Sequence, residues 1–233
     1  MYKKLSVLIP VYNEKNTIKS CVEAVLKADI GTLELEVIIS DNNSFDGTKE
    51  ILSKINDPRV KILYREKNNG KGANIKNALK EAKGDLILFQ DGDLEYSPTD
   101  YLCLIEPFFK YNADVVYGSR LTRAKATSIV GFPNYIGNIL FTLLANILFN
   151  KIFTDIATGY KVFKKDIIKD LEIISDGFEI EPEITAKISR NKNIRIFEVP
   201  ITINSRGYKD GKKVKWWHFF TYIYSIVKWR FKN

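Results

Sequence analysis

Polar and acidic side chains gather in three short segments, each directly after a run of apolar residues. The segments are residues 10–14, 40–48 and 90–95. In the last one Asp91, Asp93 and Glu95 alternate along the chain, and carboxylates spaced in this way at the end of a strand can converge on one hard cation that prefers oxygen ligands. A single Asp-x-Asp is more often an ordinary turn. The chemistry therefore depends on whether the fold brings the three segments together.

Strands and helices alternate through the first half of the chain. Short apolar runs predict buried strands at residues 5–9, 35–39, 60–63, 85–89 and 114–117. Helices are predicted near residues 17–28, 46–55, 71–83 and 98–110, with Gly84 placed to end the third. This order is typical of an α/β fold with a mostly parallel sheet and helices on both faces. Ligands of such sheets bind at the carboxyl ends of the strands, where all three polar segments fall.

The composition is that of a globular protein. The chain has 233 residues, of which 45% are hydrophobic and 27% charged, which suits one folded domain and excludes disorder as the overall state. Two cysteines, Cys21 and Cys103, cannot form a disulfide framework and are expected to be structural. Because the first residues also lack the pattern of a signal peptide, we expect a reducing, cytosolic location.

The excess of positive charge is concentrated in the last thirty residues. The net charge is +8, and this segment carries eight basic side chains and one acidic one, interleaved with Trp, Tyr and Phe. Such a composition is typical of a membrane interface, of a surface that stacks single-stranded nucleic acid, or of a terminal helix that packs its rings on the core. The sequence leaves these alternatives open.

Residues 134–150 predict an apolar helix in which a polar residue returns at every fourth position. The polar row consists of Asn134, Asn138, Thr142, Asn146 and Asn150. A helix of this length is about 25 Å long, shorter than the roughly 30 Å hydrocarbon core of a bilayer, and is not expected to span it. The pattern fits a helix that lies in the membrane surface and equally a helix half-buried against the core.

Several motifs, in their order and spacing, resemble those of one enzyme family. They lie at residues 10–14, 41–48, 69–72, 91–95, 118–120, 155–160, 178–181, 198–201 and 205–213. Over essentially its whole length the chain is similar to the inverting family 2 glycosyltransferases of GT-A fold, and within them to the polyprenyl-phosphate sugar synthases of the dolichyl-phosphate mannose synthase type. The resemblance implies a GT-A domain over residues 1–213, including the membrane-surface helix near 134–150, and a basic aromatic helix over 214–233.

The resemblance also implies which residues bind the donor and the metal. A GDP- or UDP-linked sugar would be bound by Pro10, Tyr12, Glu14, Asp41, Asp91, Lys212 and Lys213. Mg²⁺ or Mn²⁺ would be held by Asp93 and Glu95, while Asp91 would contact the metal or the ribose. Such a cation stabilises the negative charge that accumulates on a diphosphate leaving group without a proton transfer.

Catalytic roles would fall to Asp93, Arg120 and Arg206. Arg120 is the expected anchor of the acceptor phosphate, and Arg206 belongs to a loop expected to fold over the bound donor. Lys71, between two glycines, is expected to be solvated. The sugar and the base stay open, because Asn42 stands where the family usually has a second acidic residue and the helix from Asn134 lacks an arginine common in mannose synthases.

The predicted function is metal-dependent transfer of a hexose from a nucleotide sugar to a polyprenyl monophosphate at the cytosolic face of an anionic membrane, with no nucleic-acid partner. One alternative is transfer to a sugar hydroxyl, which needs a carboxylate base such as Asp155, Glu179 or Glu181. A phosphate monoester needs none, since it loses its second proton near pH 6. Another alternative is a basic module without enzymatic activity that binds RNA or a membrane.

Overall fold

The protein is described by a computed structural model that covers residues 2–122, 125, 128, 131–205 and 218–232, with His218 described by its backbone alone. In this part of the chain seven strands form one sheet. They are β1 (Lys4–Val11), β2 (Glu34–Asp41), β3 (Val60–Tyr64), β4 (Leu86–Phe89), β5 (Val115–Ser119), β6 (Lys161–Lys164) and β7 (Ile196–Pro200). The helices are α1 (Ile18–Leu26), α2 (Thr48–Leu52), α3 (Lys71–Glu81), α4 (Tyr101–Lys110), α5 (Phe132–Phe149), α6 (Lys165–Lys169), α7 (Ile180–Arg190) and α8 (His218–Phe231).

The sheet is mostly parallel, as predicted. Its order is β3-β2-β1-β4-β6-β5-β7. Strand β1 pairs in parallel with β2 and β4, β2 with β3, and β5 with β7, while β6 runs antiparallel between β4 and β5. The sequence analysis did not predict β6, because this four-residue strand begins and ends with lysine and lacks the apolar run of a buried strand.

Helices cover both faces of the sheet, which confirms the second part of the prediction. Alternate residues of β1 point to opposite faces, so Val7 joins one hydrophobic cluster and Leu8 the other. The first cluster includes side chains of α1, α2 and α4. The second includes side chains of α3, α5, α6, α7 and α8. Because β1, β2 and β4 are parallel, their carboxyl ends lie together at one edge of the sheet.

The predicted role of Gly84 is wrong. Helix α3 ends at Glu81, and the chain leaves it through an extended Ala82. Gly84 is not in the left-handed region. A β-carbon at Gly84 would lie 2.6 Å from the backbone nitrogen of Ser6. Glycine is therefore needed here for close packing of the chain against β1.

Candidate functional site

The loops after β1 and β2 are joined into one unit by hydrogen bonds. The backbone nitrogen of Asn13 donates to Ser44 Oγ at 2.8 Å, and that of Glu14 donates to Thr48 Oγ1 at 2.9 Å. In return, the backbone nitrogen of Phe45 donates to Asn13 Oδ1 at 3.0 Å. Two of the three polar segments predicted from the sequence therefore hold each other in place.

Thr17 connects this unit to the loop after β4. Its Oγ1 lies 2.9 Å from Glu14 Oε2 and 3.0 Å from the carbonyl oxygen of Gly92. The loops are tightly turned, since Asn13 has φ +50° and Leu94 has φ +59°. A left-handed conformation is uncommon for a leucine and marks a position constrained by its surroundings. All three segments meet at the carboxyl edge of the sheet, as predicted.

Carboxylates of the first and third loops act electrostatically on one buried thiol. Burial raises the pKa of Cys21, and the negative charges of Asp93, Asp91 and Glu14 raise it further. The backbone nitrogen of Glu95 donates to Asp93 Oδ1 at 3.1 Å, which fixes the turn that carries both residues. The site therefore concentrates negative charge. Within the described residues, no three His, Cys, Asp or Glu side chains are close enough together to enclose a metal ion.

Lys71 is not solvated, contrary to the prediction. Its side chain is only 14% exposed, and its Nζ lies 2.7 Å from Asp91 Oδ1 and 3.3 Å from Glu181 Oε1. The other oxygen of Glu181 lies 2.5 Å from Nζ of Lys161, which is fully buried. The Gly-Lys-Gly turn at the start of α3 directs the lysine inward. Four alternating charges thus form a chain from the loop after β4 to α7 and β6.

The charge pairing keeps Glu181 ionised. Burial alone would raise its pKa, but the ammonium groups of Lys161 and Lys71 outweigh burial and lower it. A carboxylate with a lowered pKa is a weak proton acceptor. Glu181 is therefore unsuited to the role of general base that the sequence left open for it.

Gly159 allows Asp91 to approach the loop before β6. A β-carbon at Gly159 would lie 2.6 Å from Asp91 Oδ2 and 3.2 Å from the ring of Tyr96. The backbone nitrogen of Gly159 donates to the hydroxyl of Tyr96 at 2.9 Å, and that ring stacks on Tyr160 at 4.9 Å between centroids. Asp91 is thus held between Lys71 and a glycine that leaves room for it.

Asp41 ends β2 with a buried acceptor. The residue is fully buried, and its Oδ2 accepts a hydrogen bond from the backbone nitrogen of Ser44 at 3.1 Å. Its Oδ1 has no hydrogen-bond partner in the described part of the chain. The neighbouring Asn42 is engaged with the loop before α3, where its Nδ2 donates to Asn68 Oδ1 at 2.6 Å. Asp41 is therefore the residue of this pair that can accept a hydrogen bond from a ligand.

Tyr12 and Pro10 also lie at this edge. Pro10 is half-buried near the end of β1. The ring of Tyr12 contacts the exposed ring of Phe45 edge to face, with 6.2 Å between centroids. Phe45 was not predicted as a site residue, although its position in the polar loop after β2 is visible in the sequence.

Arg120 follows β5 and forms a bidentate ion pair with Asp155. Its Nε lies 2.6 Å from Asp155 Oδ2, and its Nη2 lies 2.7 Å from Oδ1. Burial alone would raise the pKa of Asp155, but the guanidinium outweighs burial and lowers it. Arg120 also interacts electrostatically with Tyr96 and Glu95. A cation suited to phosphate thus lies beside the acidic loop.

The middle of the polar row of α5, from Asn138 to Asn146, faces the protein, whereas other apolar residues of the helix face outward. Asn138 donates to Asp155, and Asn146 exchanges two hydrogen bonds with the backbone of Phe153. Leu143 and Ile147 are exposed on the other side. By length and composition this helix is apolar enough to cross a membrane, with a mean hydropathy of 1.4. The core contact predicted as one alternative is present, since Phe141, Ala145 and Phe149 join the second hydrophobic cluster.

Helix α8 packs beside α5 and continues the exposed apolar surface. Ile226 and Trp229 are buried in the core, and Arg230 Nε donates to the carbonyl oxygen of Leu148 at 2.8 Å. Phe220 and Tyr224 remain exposed. The predicted catalytic residue Arg206 and the predicted donor-binding residues Lys212 and Lys213 lie outside the described residues.

The contacts of three polar residues of this site were not predicted, namely those of the buried Lys161 and of the half-buried Asn138 and Lys71. The Gly-Lys-Gly turn and the fourfold spacing of the asparagines were visible signals. Neither signal identifies the partners of Lys71 and Asn138. The partners of Lys71 are Asp91 and Glu181, that of Asn138 is Asp155, and all three are distant in sequence.

Comparison with known proteins places the chain among glycosyltransferases. Residues 6–172 match the model of glycosyl transferase family 2. The chain is 30% identical over 239 residues to a dolichol-phosphate mannosyltransferase of Pyrococcus furiosus, and 26% identical over 201 residues to the glycosyltransferase AglJ of Haloferax volcanii. These matches cover 97% and 86% of this chain, but only 64% and 63% of the two relatives.

Solved structures share the fold at low sequence identity. Glucosyl-3-phosphoglycerate synthase from Mycobacterium tuberculosis, in complex with Mn²⁺, UDP and glucosyl-3-phosphoglycerate, superposes with a TM-score of 0.72 at 16% identity, covering 97% of this chain and 78% of that one. TarS of S. aureus with UDP-GlcNAc gives a TM-score of 0.66 at 21% identity, covering 97% and 66%. The predicted GT-A fold is therefore confirmed, and by the extent of the family match the chain belongs to glycosyl transferase family 2.

Proposed function

We propose that this chain transfers a hexose from a nucleoside-diphosphate sugar to a polyprenyl monophosphate, with the help of a divalent cation. The observation that carries the proposal is the position of Arg120. This cation interacts with Glu95 of the acidic loop on one side and, through Asp155, with Asn138 of the outwardly apolar helix α5 on the other. A lipid with a phosphate head requires such a combination of a phosphate-binding cation and an apolar surface.

The donor would bind where the three loops meet. The Oδ1 of Asp41, which has no hydrogen-bond partner among the described residues, can accept a hydrogen bond from an N–H group of the nucleobase, since a buried acceptor gains from a donor. Tyr12 and Phe45 offer an aromatic wall, and Pro10 and Glu14 lie on the same unit. In a different part of the same site, Asp91 suits a ribose hydroxyl, because Lys71 already neutralises its charge.

The residues present fit a hard divalent cation. Their donor set is carboxylate oxygen, and the negative field that raises the pKa of Cys21 would be relieved by a cation at Asp93 and Glu95. When bound there, Mg²⁺ or Mn²⁺ supplies Lewis-acid stabilisation of the diphosphate leaving group. The M. tuberculosis synthase of the same fold was solved with Mn²⁺ and with Mg²⁺, each together with UDP, which supports this assignment.

The acceptor phosphate would bind Arg120 and attack the anomeric carbon without a protein base. As a dianion at neutral pH the phosphate is already nucleophilic. Two of the three carboxylates that could serve a sugar-hydroxyl acceptor as a base are in ion pairs, since Asp155 pairs with Arg120 and Glu181 pairs with Lys161 and Lys71. This occupancy favours the phosphate over the hydroxyl acceptor.

A membrane surface would hold the lipid acceptor in reach. Helix α5 exposes Leu140, Leu143 and Ile147, and α8, which packs against it, exposes Phe220 and Tyr224. Basic side chains at the end of α8, among them Lys228, suit anionic headgroups. The P. furiosus relative is named for dolichol phosphate, which supports association with a membrane. The peripheral location on the cytosolic face is part of the proposal.

The test is a transfer assay in anionic vesicles that contain polyprenyl phosphate. GDP- and UDP-linked sugars are supplied with Mn²⁺, and the product is identified by mass spectrometry as a glycosylated lipid phosphate. Arg120→Ala should reduce transfer by about a hundredfold or more. Arg59→Ala is the matched control, because Arg59 forms a bidentate pair with Asp57 at the opposite edge of the sheet and should keep full activity. Transfer to oligosaccharides but not to the lipid phosphate would overturn the proposal.

A further inference from the structure

The polar row of α5 is bound along one short segment of the chain. Asn146 Nδ2 donates to the carbonyl oxygen of Phe153 at 2.9 Å, and the backbone nitrogen of Phe153 donates back to Asn146 Oδ1 at 2.8 Å. One turn earlier, Thr142 Oγ1 accepts from the backbone nitrogen of Ile156 at 3.4 Å. Residues four apart lie in line on a helix, so α5 fixes the course of residues 153–156.

Asn138 extends this row to the side chain that holds Arg120. Its Nδ2 donates to Asp155 Oδ1 at 2.9 Å, the same oxygen that accepts from Arg120 Nη2. Asp155 is fully buried, and its backbone nitrogen donates to Glu198 Oε1 at 3.2 Å. Both the backbone and the carboxylate of Asp155 are therefore fixed by residues other than Arg120.

The pairing leaves part of the guanidinium available for a ligand. Side-chain bonds to Asp155 use two of the five N–H groups of Arg120, so within the described residues three remain to bind phosphate oxygens. The direction in which these three groups point is set by the plane of the Asp155 carboxylate, since a bidentate pair fixes both orientation and distance. The position of α5 therefore determines the direction of the free N–H groups.

We propose that α5 is a positioning helix for the acceptor phosphate and that Asn138 is the positioning residue through which it acts on Arg120. The proposal rests on the proposed function, because it assumes that Arg120 binds the acceptor. It assigns the two sides of α5 different tasks. The outer side contacts the lipid. The inner side orients the guanidinium of Arg120 towards the phosphate of the acceptor.

The first experiment separates acceptor binding from donor binding. Transfer is measured with a short-chain, water-soluble polyprenyl phosphate and with the same head group on a long chain in vesicles. Asn138→Ala should raise the KM for both acceptors about tenfold, with the KM for the nucleotide sugar unchanged. Asn138→Asp should raise the KM for both acceptors further, because a second carboxylate would then face Asp155. Asn134→Ala is the matched control, since Asn134 is exposed one turn earlier on the same helix and should leave both KM values unchanged.

A substitution on the outer side should give the opposite pattern. Ile147→Glu should raise the KM for the vesicle-borne acceptor alone, because Ile147 is 70% exposed and does not belong to the polar row. Hydrogen exchange at Phe153 and Ile156 should be faster in Asn138→Ala than in Asn134→Ala, without any ligand present.

The proposal is overturned if Asn138→Ala lowers only kcat or thermal stability, or changes the donor and acceptor KM values equally, as a merely structural residue would. It is also overturned if Asn138→Ala behaves as Asn134→Ala does. Failure of the proposed function has a different signature, since the wild type itself would then transfer no sugar to either phosphate acceptor.

Discussion

The two sides of the candidate site hold their charged residues by different means. On the donor side, the loops after β1, β2 and β4 are fixed by bonds among themselves, such as that from the Glu14 nitrogen to Thr48. On the acceptor side, Arg120 is fixed by Asp155, which in turn is held by Asn138 of a helix that is apolar on its outer face.

The loops of the proposed donor side hold one another, whereas the proposed acceptor side is held by a helix. The donor loops need only the sheet edge and their own turns, so nucleotide binding should survive changes in α5. The proposed acceptor side depends on the position of α5, which also has an exposed apolar face. Binding of the acceptor should therefore respond to contact between α5 and the lipid. Substitutions on each side can test whether the separation is real.

The largest expected effect is on the donor side. Asp93→Asn should reduce transfer at least about a thousandfold, because it removes a proposed metal ligand next to the leaving group. EDTA should have the same effect on the wild type. Calorimetry of Mn²⁺ binding, together with an unchanged melting temperature, distinguishes this outcome from unfolding. Asp57→Asn, in an exposed pair with Arg59, serves as the control. Full activity in EDTA of protein free of metal would contradict the metal assignment.

The charge chain beneath the donor loops should matter for stability. Lys71→Met leaves Asp91 and Glu181 without their shared cation, and breaking a buried pair in this way costs about 3–5 kcal/mol. A drop in melting temperature of about 10 °C is expected for a chain of this size. Lys61→Met is the matched control, because its pair with Glu81 is exposed and should contribute about 1 kcal/mol or less. Equal melting temperatures for the two variants would disprove the buried role of Lys71.

The donor side was largely predictable from the sequence. Its strands are apolar runs, its loops carry polar residues at fixed positions after them, and the alternation of strands and helices determines that these loops share an edge. The meeting of Glu14, Asp41 and Asp91 at that edge follows from topology alone. The partner of Lys71 does not, since Asp91 and Glu181 approach it only after the sheet and α7 are assembled.

The acceptor side was less predictable, for a physical reason. A periodic pattern states that a helix has two faces, but it does not state which face is outside. In most surface helices the polar face meets water. In α5 the polar row meets buried backbone and Asp155, and Leu143 and Ile147 are outside. Strand β6 was missed for a related reason, because its fully buried Lys161 is stabilised by Glu181 and not by an apolar environment.

The outer face of α5 should govern membrane binding and leave donor binding intact. Each of Leu143→Glu and Ile147→Glu should weaken flotation with anionic vesicles at least about tenfold, because burial of one such side chain contributes about 1.5–3 kcal/mol. Leu102→Glu is the control, since Leu102 is 44% exposed on α4, on the opposite face of the sheet. If Leu102→Glu weakened flotation as much as Ile147→Glu, the lipid surface would lie elsewhere.

The smallest expected effects concern the nucleophile. If the acceptor is a phosphate monoester, its dianion attacks, and the rate at low acceptor concentration should rise through roughly pH 6 and then level off. Asp155 cannot cause this rise. Its pKa lies below the ordinary 3.8, because Arg120 outweighs burial, so it stays ionised from pH 5 upward. Because the pKa of Asp155 is lower in the folded than in the unfolded state, its ionised form stabilises the fold above about pH 4. This stabilisation is lost as the pH falls through the folded-state pKa, so rates should be measured above pH 5.

No carboxylate outside the donor and metal site should then be essential as a base. Glu179→Gln should reduce the rate about tenfold or less, by changing positions only, whereas loss of a general base costs about a hundredfold to ten-thousandfold. Asp155→Asn also weakens the pair that orients Arg120, so it should cost about as much as Arg120→Ala, roughly a hundredfold. Glu198→Gln is the control for the pH profile, because burial raises the pKa of Glu198 and its titration is another source of a rise in rate. The rise should persist in this variant, although Glu198 accepts hydrogen bonds from Thr154. Suppose instead that Asp155→Asn or Glu179→Gln lost three orders of magnitude with donor binding unchanged. The acceptor would then need a base, and a sugar hydroxyl would replace the lipid phosphate as the best candidate.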